Sequence, residues 1–386
     1  MPKRLTMPAG LALGAALTLL VVAADVLTGS DYTFSLFYLI PIALVTARAG
    51  RTAGVAWSLA CALAWLLASL ATGIDASRPE VLVWNTAMQA AFFSVVAWGL
   101  DSVRRGLARE RSLRADLARS WHVLDKELTV VGDLQRAMLP AAPPVIRGFH
   151  CATFYAPSAR AGGDYFDFFP LAGGRLGFLI ADVSGHGAPA AVVMAMLRVL
   201  LHTAPGALEP PARVLADANR RLAANIPPGQ FVTACYAVLD ARTGRLEHAI
   251  AGHEAPLVLR ADGGACEPFL HPSGPPLGPF ADATFEGAAV VLRPGDTVVF
   301  STDGLSEAMD PSGELLGEAR VRALLEGARG EGVEELRDRL VDLVDRHRAG
   351  RERADDLTLL VLGRDLAARP VDSYSPVVAA PLRTTR

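Results

Sequence analysis

Four apolar stretches, residues 5–24, 32–47, 52–74 and 81–100, leave the front of this chain little choice of environment. Only nine of its 77 charged side chains fall in the first hundred residues: Lys3, Arg4, Asp25, Asp31, Arg48, Arg51, Asp75, Arg78 and Glu80. A run of about 20 apolar residues crosses the hydrocarbon core of a bilayer as one helix. The second stretch has only about 16. It also carries Pro41, which is tolerated where neighbouring helices satisfy the freed carbonyl. Residues 1–100 are therefore expected to form an all-α, four-helix transmembrane sensor region. No small-residue cleavage site follows the first stretch, and more apolar stretches lie behind it, so it reads as an anchor and not as a removable leader.

Basic residues set the expected orientation. Lys3 and Arg4 precede the first stretch, Arg48 and Arg51 separate the second from the third, and Arg104, Arg105, Arg109, Arg111 and Arg114 follow the fourth. Lys and Arg collect on cytoplasmic loops, so both ends of the region should face the cytoplasm. The loops on the far side are a handful of residues each. They are too short for an external ligand-binding domain, so any stimulus would be read within or near the bilayer.

Residues 101–139 contain no proline and a dense mixture of charges. Leu117, Leu124, Val131 and Met138 recur every seven residues, with Leu113, Trp121, Leu128 and Leu134 on neighbouring positions. About three such repeats suit a coiled coil. The expectation is a signalling linker helix that pairs with a second copy as a parallel homodimer. The other reading is one amphipathic helix packed on the next domain. Pro140, Pro143 and Pro144 end the helix.

Residues 140–363 alternate between strand and helix patterns. Strands are expected at 149–156, 175–181, 231–239, 245–250, 297–301 and 357–363, and helices at 188–203, 211–224, 318–326 and 331–348. Strands joined by short turns imply antiparallel sheets, with the helices covering them. The net charge of −3 and the lack of a basic stripe argue against a nucleic-acid partner. Cys61, Cys151, Cys235 and Cys266 form no CxxC pair. They read as scattered buried thiols, not a zinc site or a disulfide framework. Residues 364–386 have no periodicity and are expected to be a disordered tail.

Acidic residues mark the strand boundaries. Asp164 lies in the turn Gly162-Gly163-Asp164. Asp182 ends the apolar run 176–181 and is followed by Ser184-Gly185-His186-Gly187. Asp303 follows a strand in Ser301-Thr302-Asp303-Gly304. Asp355 and Asp356 precede the last strand in Ala354-Asp355-Asp356-Leu357-Thr358. No His- or Cys-rich cluster competes with them, and oxygen-only ligands point to Mg2+ or Mn2+ rather than Zn2+. Carboxylates gathered at one site repel each other unless cations bridge them. Two metals ~3.5–4 Å apart can share a hydroxide made from water and hold a phosphoryl group for in-line attack.

These motifs resemble the metal-dependent PPM (type 2C) protein serine/threonine phosphatases, and most of all their bacterial SpoIIE-like branch. The residues that carry the likeness are Gly162-Gly163-Asp164-Tyr165-Phe166-Asp167, Asp182-Val183-Ser184-Gly185-His186-Gly187, Ser301-Thr302-Asp303-Gly304 and Asp355-Asp356-Leu357-Thr358. Leu134-Gln135-Arg136-Ala137-Met138-Leu139-Pro140 and Ala251-Gly252-His253-Glu254-Ala255-Pro256 belong to the same pattern. The resemblance implies an α+β fold, an α/β/β/α sandwich of antiparallel sheets with two metals, Mn2+ or Mg2+, between them. It implies that Asp164 and Asp182 hold the central metals, that the Val183 carbonyl completes the site, and that Asp303 and Asp355 or Asp356 supply the remaining carboxylates. Asp355 is preferred because the family's last motif begins with its ligand.

The implied activity is hydrolysis of phosphoserine or phosphothreonine on a regulatory protein, such as an anti-sigma-factor antagonist, by a two-metal-activated water. The implied setting is a bacterial inner membrane, with the lipid bilayer holding the front and the catalytic domain in the cytoplasm. No arginine is assigned to grip substrate phosphate; Arg160 is merely adjacent to the first motif. His186 and His253 read as hydrogen-bonders in Gly-flanked turns, and Asp167 as a residue beside the site or on the surface. The competing reading is a catalytically inactive membrane sensor that uses a phosphatase-like domain for partner binding. A sensor kinase or cyclase fits the front equally well but finds no ATP-binding Gly-rich motif in the second half.

Overall fold

The structure, a computed structural model, describes residues 7–28, 34–72, 79–204, 208–269 and 274–366. Lys3, Arg4, the expected external loops with Asp31, Asp75 and Arg78, and residues 367–386 of the expected tail lie outside the described residues. The chain forms two compact units, residues 1–122 and 123–386.

The first unit is helical. It contains α1 (Met7–Thr28), α2 (Leu39–Ala71) and the front part of α3 (Pro79–Met138). All three helices are long and apolar enough to cross a membrane. The second and third sequence stretches form two helices, the two legs of α2, which meet at Gly50, whose φ of 84° and ψ of −174° are non-helical. Glycine takes that conformation at no steric cost. The chain reverses there, so that the Thr46 side chain occupies the space a Cβ on Gly54 would need. Gly14 of α1 meets Val45 in the same way, with a Cβ position 2.6 Å from its Cγ2. Small residues of this kind let membrane helices approach closely. Tyr38, Ile42, Cys61, Phe93 and Ala97 form the apolar centre.

Helix α3 runs unbroken for 60 residues. It merges the fourth apolar stretch with the linker, because no proline or helix-breaking turn separates them. Leu113, Leu117, Trp121, Leu124 and Leu134 of the heptad stripe stand exposed on it.

The second unit begins within α3 and holds ten strands among the described residues. These are β1 (Phe149–Ala156), β2 (Tyr165–Pro170), β3 (Arg175–Val183), β4 (Val232–Asp240), β5 (Arg245–Ala251), β6 (Leu257–Leu259), β7 (Glu267–Pro268), β8 (Ala288–Val291), β9 (Thr297–Ser301) and β10 (Leu357–Arg364). They form two antiparallel five-stranded sheets, ordered β1-β10-β9-β6-β7 and β2-β3-β4-β5-β8. Helices α4 (Ala188–His202) and α5 (Pro211–Ala223) cover the outer face of the second sheet through Met194, Leu197, Leu215 and Leu222. Helices α6 (Glu318–Gly327) and α7 (Val333–Arg348) cover the first through Leu325, Leu336 and Leu340. Phe178, Ile250, Val258, Phe300 and Leu360 fill the space between the sheets, with the Phe178 and Phe300 rings stacked 6.4 Å apart. This is the α/β/β/α sandwich expected from the motifs.

Strand pairing gathers the acidic turns. The β2–β3 register pairs Tyr165 with Ala181, which sets Asp164 across from Asp182 at the strand ends. The last strand is not an edge. It inserts between β1 and β9, with Leu359 paired to Ser301, so Asp355 and Asp303 leave adjacent strands at the same end.

Candidate metal centre

The aspartates sit where strands stop. Antiparallel pairing sends the end of β3 and the start of β2 to one edge of the second sheet. It does the same for the end of β9 and the start of β10 in the first. Polar bonds tie the two edges together. The Oδ2 atom of Asp164 accepts hydrogen bonds from Thr302 Oγ1 (2.8 Å) and Thr358 Oγ1 (2.5 Å). The amides of Gly163 and Asp164 donate to Asp356 Oδ2 at 2.6 and 3.4 Å, and Ser158 donates to Asp356 Oδ1 from its amide (2.7 Å) and hydroxyl (3.0 Å). Asp356 is thus buried and engaged by four donors, whereas its neighbour Asp355 is exposed. Sequence order alone could not separate the two.

Glycines let the two acidic turns touch. A Cβ on Gly163 would lie 2.6 Å from the Val183 carbonyl and 3.2 Å from Asp182 Oδ1. Gly163→Ala is expected to push the two turns apart and destabilise the domain by about 1–3 kcal/mol, the usual cost of overpacking. A thermal melt of the purified variant checks it.

Burial, and after it the crowding of like charge, sets the electrostatics. Burial raises the Asp164 carboxyl well above its ordinary range, and Asp182 and Asp356 push it the same way. Asp182 is pushed up to about 8 by burial, then by Asp303 and Asp355. Asp303 rises to about 6 through burial, then Asp355, Glu307 and Glu254. Asp355 is raised by burial and by Asp356, against the lowering effect of the Asp356 amide and His186. Four aspartates far apart in sequence therefore feel one another's charge.

Among the described residues, no group of three or more His, Cys, Asp or Glu side chains is drawn in tightly enough to make a closed ligand cage. The donor set nevertheless fits hard divalent cations. It is all oxygen, it is partly desolvated, and its mutual repulsion is what added positive charge relieves.

Other residues fall elsewhere. Asp167 is buried away from this edge, where it accepts from Arg198 (2.8 Å), contacts His202 Nε2 (2.7 Å) and is bonded by the Tyr165 hydroxyl. It is neither beside the site nor on the surface, contrary to the expectation from sequence. His253 is buried with its Nδ1 2.8 Å from Thr233 Oγ1, and burial lowers its pKa to about 4. It is a neutral hydrogen-bonder at neutral pH. Arg160 pairs with Asp125 of α3 at 2.9 and 3.1 Å and leaves no phosphate grip there.

Gln135 holds the turn before Asp164, a contact that sequence reasoning does not single out. Its amide exchanges two bonds with the backbone of Gly162, Nε2 to O at 2.8 Å and N to Oε1 at 2.9 Å. Its one signal is its place in the motif 134–140. Gly132, one turn earlier, lies so close to the Arg160 carbonyl that no side chain fits.

Comparison with known proteins agrees with this geometry. Residues 172–365 match the family described as Stage II sporulation protein E (SpoIIE). The match covers just over half of the chain and includes Asp182, Asp303, Asp355 and Asp356. Phosphoserine phosphatase RsbU of Bacillus subtilis is 26% identical over 245 residues, 62% of this chain and 71% of that one. The chain spans 42% to 71% of the length of the curated relatives it matches. The crystal structure of the RsbU and RsbW domains of Rv1364c from Mycobacterium tuberculosis is 31% identical with a TM-score of 0.51, over 61% of this chain and 64% of that one. The SiaA-PP2C domain of Pseudomonas aeruginosa shares the fold at 22% identity, with a TM-score of 0.56 over 64% of this chain and 99% of that one. PP2C-type phosphatases are metal-dependent, with which the all-oxygen donor set here is compatible. Motif order, sheet arrangement and the match over residues 172–365 agree, and the chain belongs to the SpoIIE family of PP2C-type protein phosphatases.

Proposed function

We propose that this protein is a membrane-anchored phosphatase that hydrolyses phosphoserine or phosphothreonine on a regulatory protein, with two Mn2+ or Mg2+ ions. The observation that carries this reading is the convergence of Asp164, Asp182, Asp303 and Asp355 from both sheets, with every carboxyl raised by burial and by its acidic neighbours. Asp164 and Asp182 would hold the central charge, the Val183 carbonyl would complete the cradle beside Gly163, and Asp303 and Asp355 would close it from the other sheet. Asp355 is the better ligand of the tandem pair, because Asp356 is engaged with Ser158 and the Gly163-Asp164 amides. Bound there, divalent cations supply Lewis acidity, lowering the pKa of water and neutralising charge on the phosphoryl group. The chain's own part is to orient. Thr302 and Thr358 fix one Asp164 oxygen, and Asp356 fixes the turn that presents it.

The name of RsbU supports phosphoserine as the substrate class. The pairing of RsbU and RsbW domains in one relative supports a regulatory-protein substrate, such as a phosphorylated anti-sigma-factor antagonist. The test is hydrolysis of p-nitrophenyl phosphate by the purified full chain. Turnover that needs added Mn2+ supports the reading, and turnover indifferent to chelation overturns it.

Regulation would pass through α3. The exposed front of its heptad stripe, Leu113, Leu117, Trp121 and Leu124, suits pairing with a second copy, and Gln135 would transmit the helix's position to Gly162. Gln135→Ala is expected to raise the half-saturating Mn2+ concentration about tenfold, the lower end for lost outer-shell support of a metal site. A Mn2+ titration of turnover reads this. For orientation, Arg48, Arg51 and the arginines after residue 100 would face the cytoplasm. A reporter fused after Arg105 should then behave as cytoplasmic.

A further inference from the structure

The first unit carries a feature that phosphatase chemistry does not use. A groove of about 710 Å³ opens between the turn of α2 and the face of α3, and Arg48, Arg104, Arg111, Leu100, Val103 and Leu107 line it. On α3 the spacing 100, 104, 107, 111 puts leucine and arginine alternately along one helical face. Arg48 enters from the other side. Its stem lies against α1, where a Cβ on Gly10 would be 3.0 Å from Arg48 Cγ. Arg104 is held by a 3.5 Å bond from Nη1 to the Thr46 carbonyl.

The lining holds the guanidinium groups of Arg104 and Arg111 and, among the described residues, no carboxylate. The nearby acids on α3 are occupied, Asp101 with Arg105 and Glu110 with Arg114. A guanidinium presents a planar fork of donors that matches a phosphate. The leucines and valine offer an apolar wall directly beside it, which a freely soluble phosphate would not require. The depth fits as well. Arg51 stacks over Trp98 at 5.9 Å, one turn before the groove, and tryptophan with arginine marks the membrane–water boundary.

We propose that this groove is a binding site for the phosphodiester headgroup of an anionic phospholipid of the inner leaflet. Arg104 and Arg111 take the phosphate, and Leu100, Val103 and Leu107 take the glycerol and the first methylenes. The site rests on the membrane-anchored reading above. It lies at the start of the helix that continues to Gln135, so a bound lipid would bias the same element that reaches the catalytic turn.

The test is native mass spectrometry of the full chain in detergent, titrated with phosphatidylglycerol or with phosphatidylcholine of the same acyl chains. Phosphatidylglycerol should be retained preferentially. Arg104→Gln and Arg111→Gln should each weaken retention about fivefold, as expected for one arginine near an anionic headgroup. Arg104→Lys should keep most of it. Arg119→Gln, which removes the same charge from an exposed position further along α3, should change nothing. Equal retention of both lipids, or equal loss in Arg119→Gln, overturns the site. Displacement by glycerol phosphate at the same concentration as the lipid also overturns it, because it would mark a soluble-phosphate pocket. A chain that alkaline carbonate strips from membranes would overturn the anchored reading, and the site with it. A chain that stays inserted without lipid preference overturns the site alone.

Discussion

Asp182→Asn is expected to lower metal-dependent turnover about a thousandfold and, at the same time, to make the metal-free protein more stable. The first effect follows from removing a charged oxygen where cations must be held; several kcal/mol of transition-state stabilisation corresponds to a rate factor of about 10³. The second follows from burial and then from crowding by Asp303 and Asp355, which push the Asp182 carboxyl up to about 8 in the folded protein, against an ordinary 3.8. Between those values the folded state binds a proton that the unfolded chain has released. Stability is therefore greatest at low pH and falls as pH rises towards 8. The wild-type metal-free chain should lose melting temperature steadily from pH 5 to pH 8, and Mn2+ should restore it at the upper end. In Asp182→Asn that slope should flatten, and the melt at pH 8 should exceed the wild type's. Scanning calorimetry with and without chelator reads both. A variant that loses activity and stability together would instead mark Asp182 as a structural residue.

The tandem aspartates should separate cleanly. Asp356→Ala removes the acceptor of four hydrogen bonds, two from Ser158 and two from the Gly163-Asp164 amides. Buried donors left without partners cost about 1–3 kcal/mol each, and breaking a buried charged arrangement costs about 3–5 kcal/mol. For a domain of this size each kcal/mol is worth about 2–4 °C, so the melting temperature should fall by about 10 °C. Asp355→Ala should leave the melt nearly unchanged, since its side chain is exposed and accepts from the amide of the next residue. Its turnover should fall at least as far as the ~100-fold loss that follows removal of outer-shell support at a metal site. Melts and Mn2+ titrations on the two variants, side by side, distinguish the roles. The reverse pattern would make Asp356 the ligand.

Much of this protein is legible in its residues because the chemistry repeats a local pattern. Asp164, Asp303 and Asp355 each sit at a strand end beside glycine, threonine or a second aspartate, Asp182 lies at a strand end just before the Ser184-Gly185 turn, and four such places in a fixed order identify the sandwich. Strands β1 and β9 fall where their apolar runs predict. Strand β2 is not among the expected strands, because Asp167 and Pro170 interrupt its alternation; Asp167 is compatible with a buried strand only because Arg198 and His202 reach it from α4. Strands β6, β7 and β8 are two to four residues long, too short to carry a period.

In the membrane region the second and third helices follow their apolar stretches, but a single glycine, Gly50, makes the reversal between them in place of a loop. The division of labour between Asp355 and Asp356, and the hold of Gln135 on Gly162, depend on contacts between residues 27 to 198 positions apart. No local pattern encodes those. The aspartates can be found by type and place, but their supports only by three-dimensional pairing.

The central claim is that two divalent cations sit between the sheets and make the catalytic centre. Equilibrium dialysis of the purified chain against Mn2+, with turnover measured on the same samples, tests it most directly. Two ions per chain are expected, with turnover rising as they load and with that loading weakened in Asp182→Asn. Stoichiometric binding unaffected by that substitution, or full turnover with no ion bound, would contradict the claim.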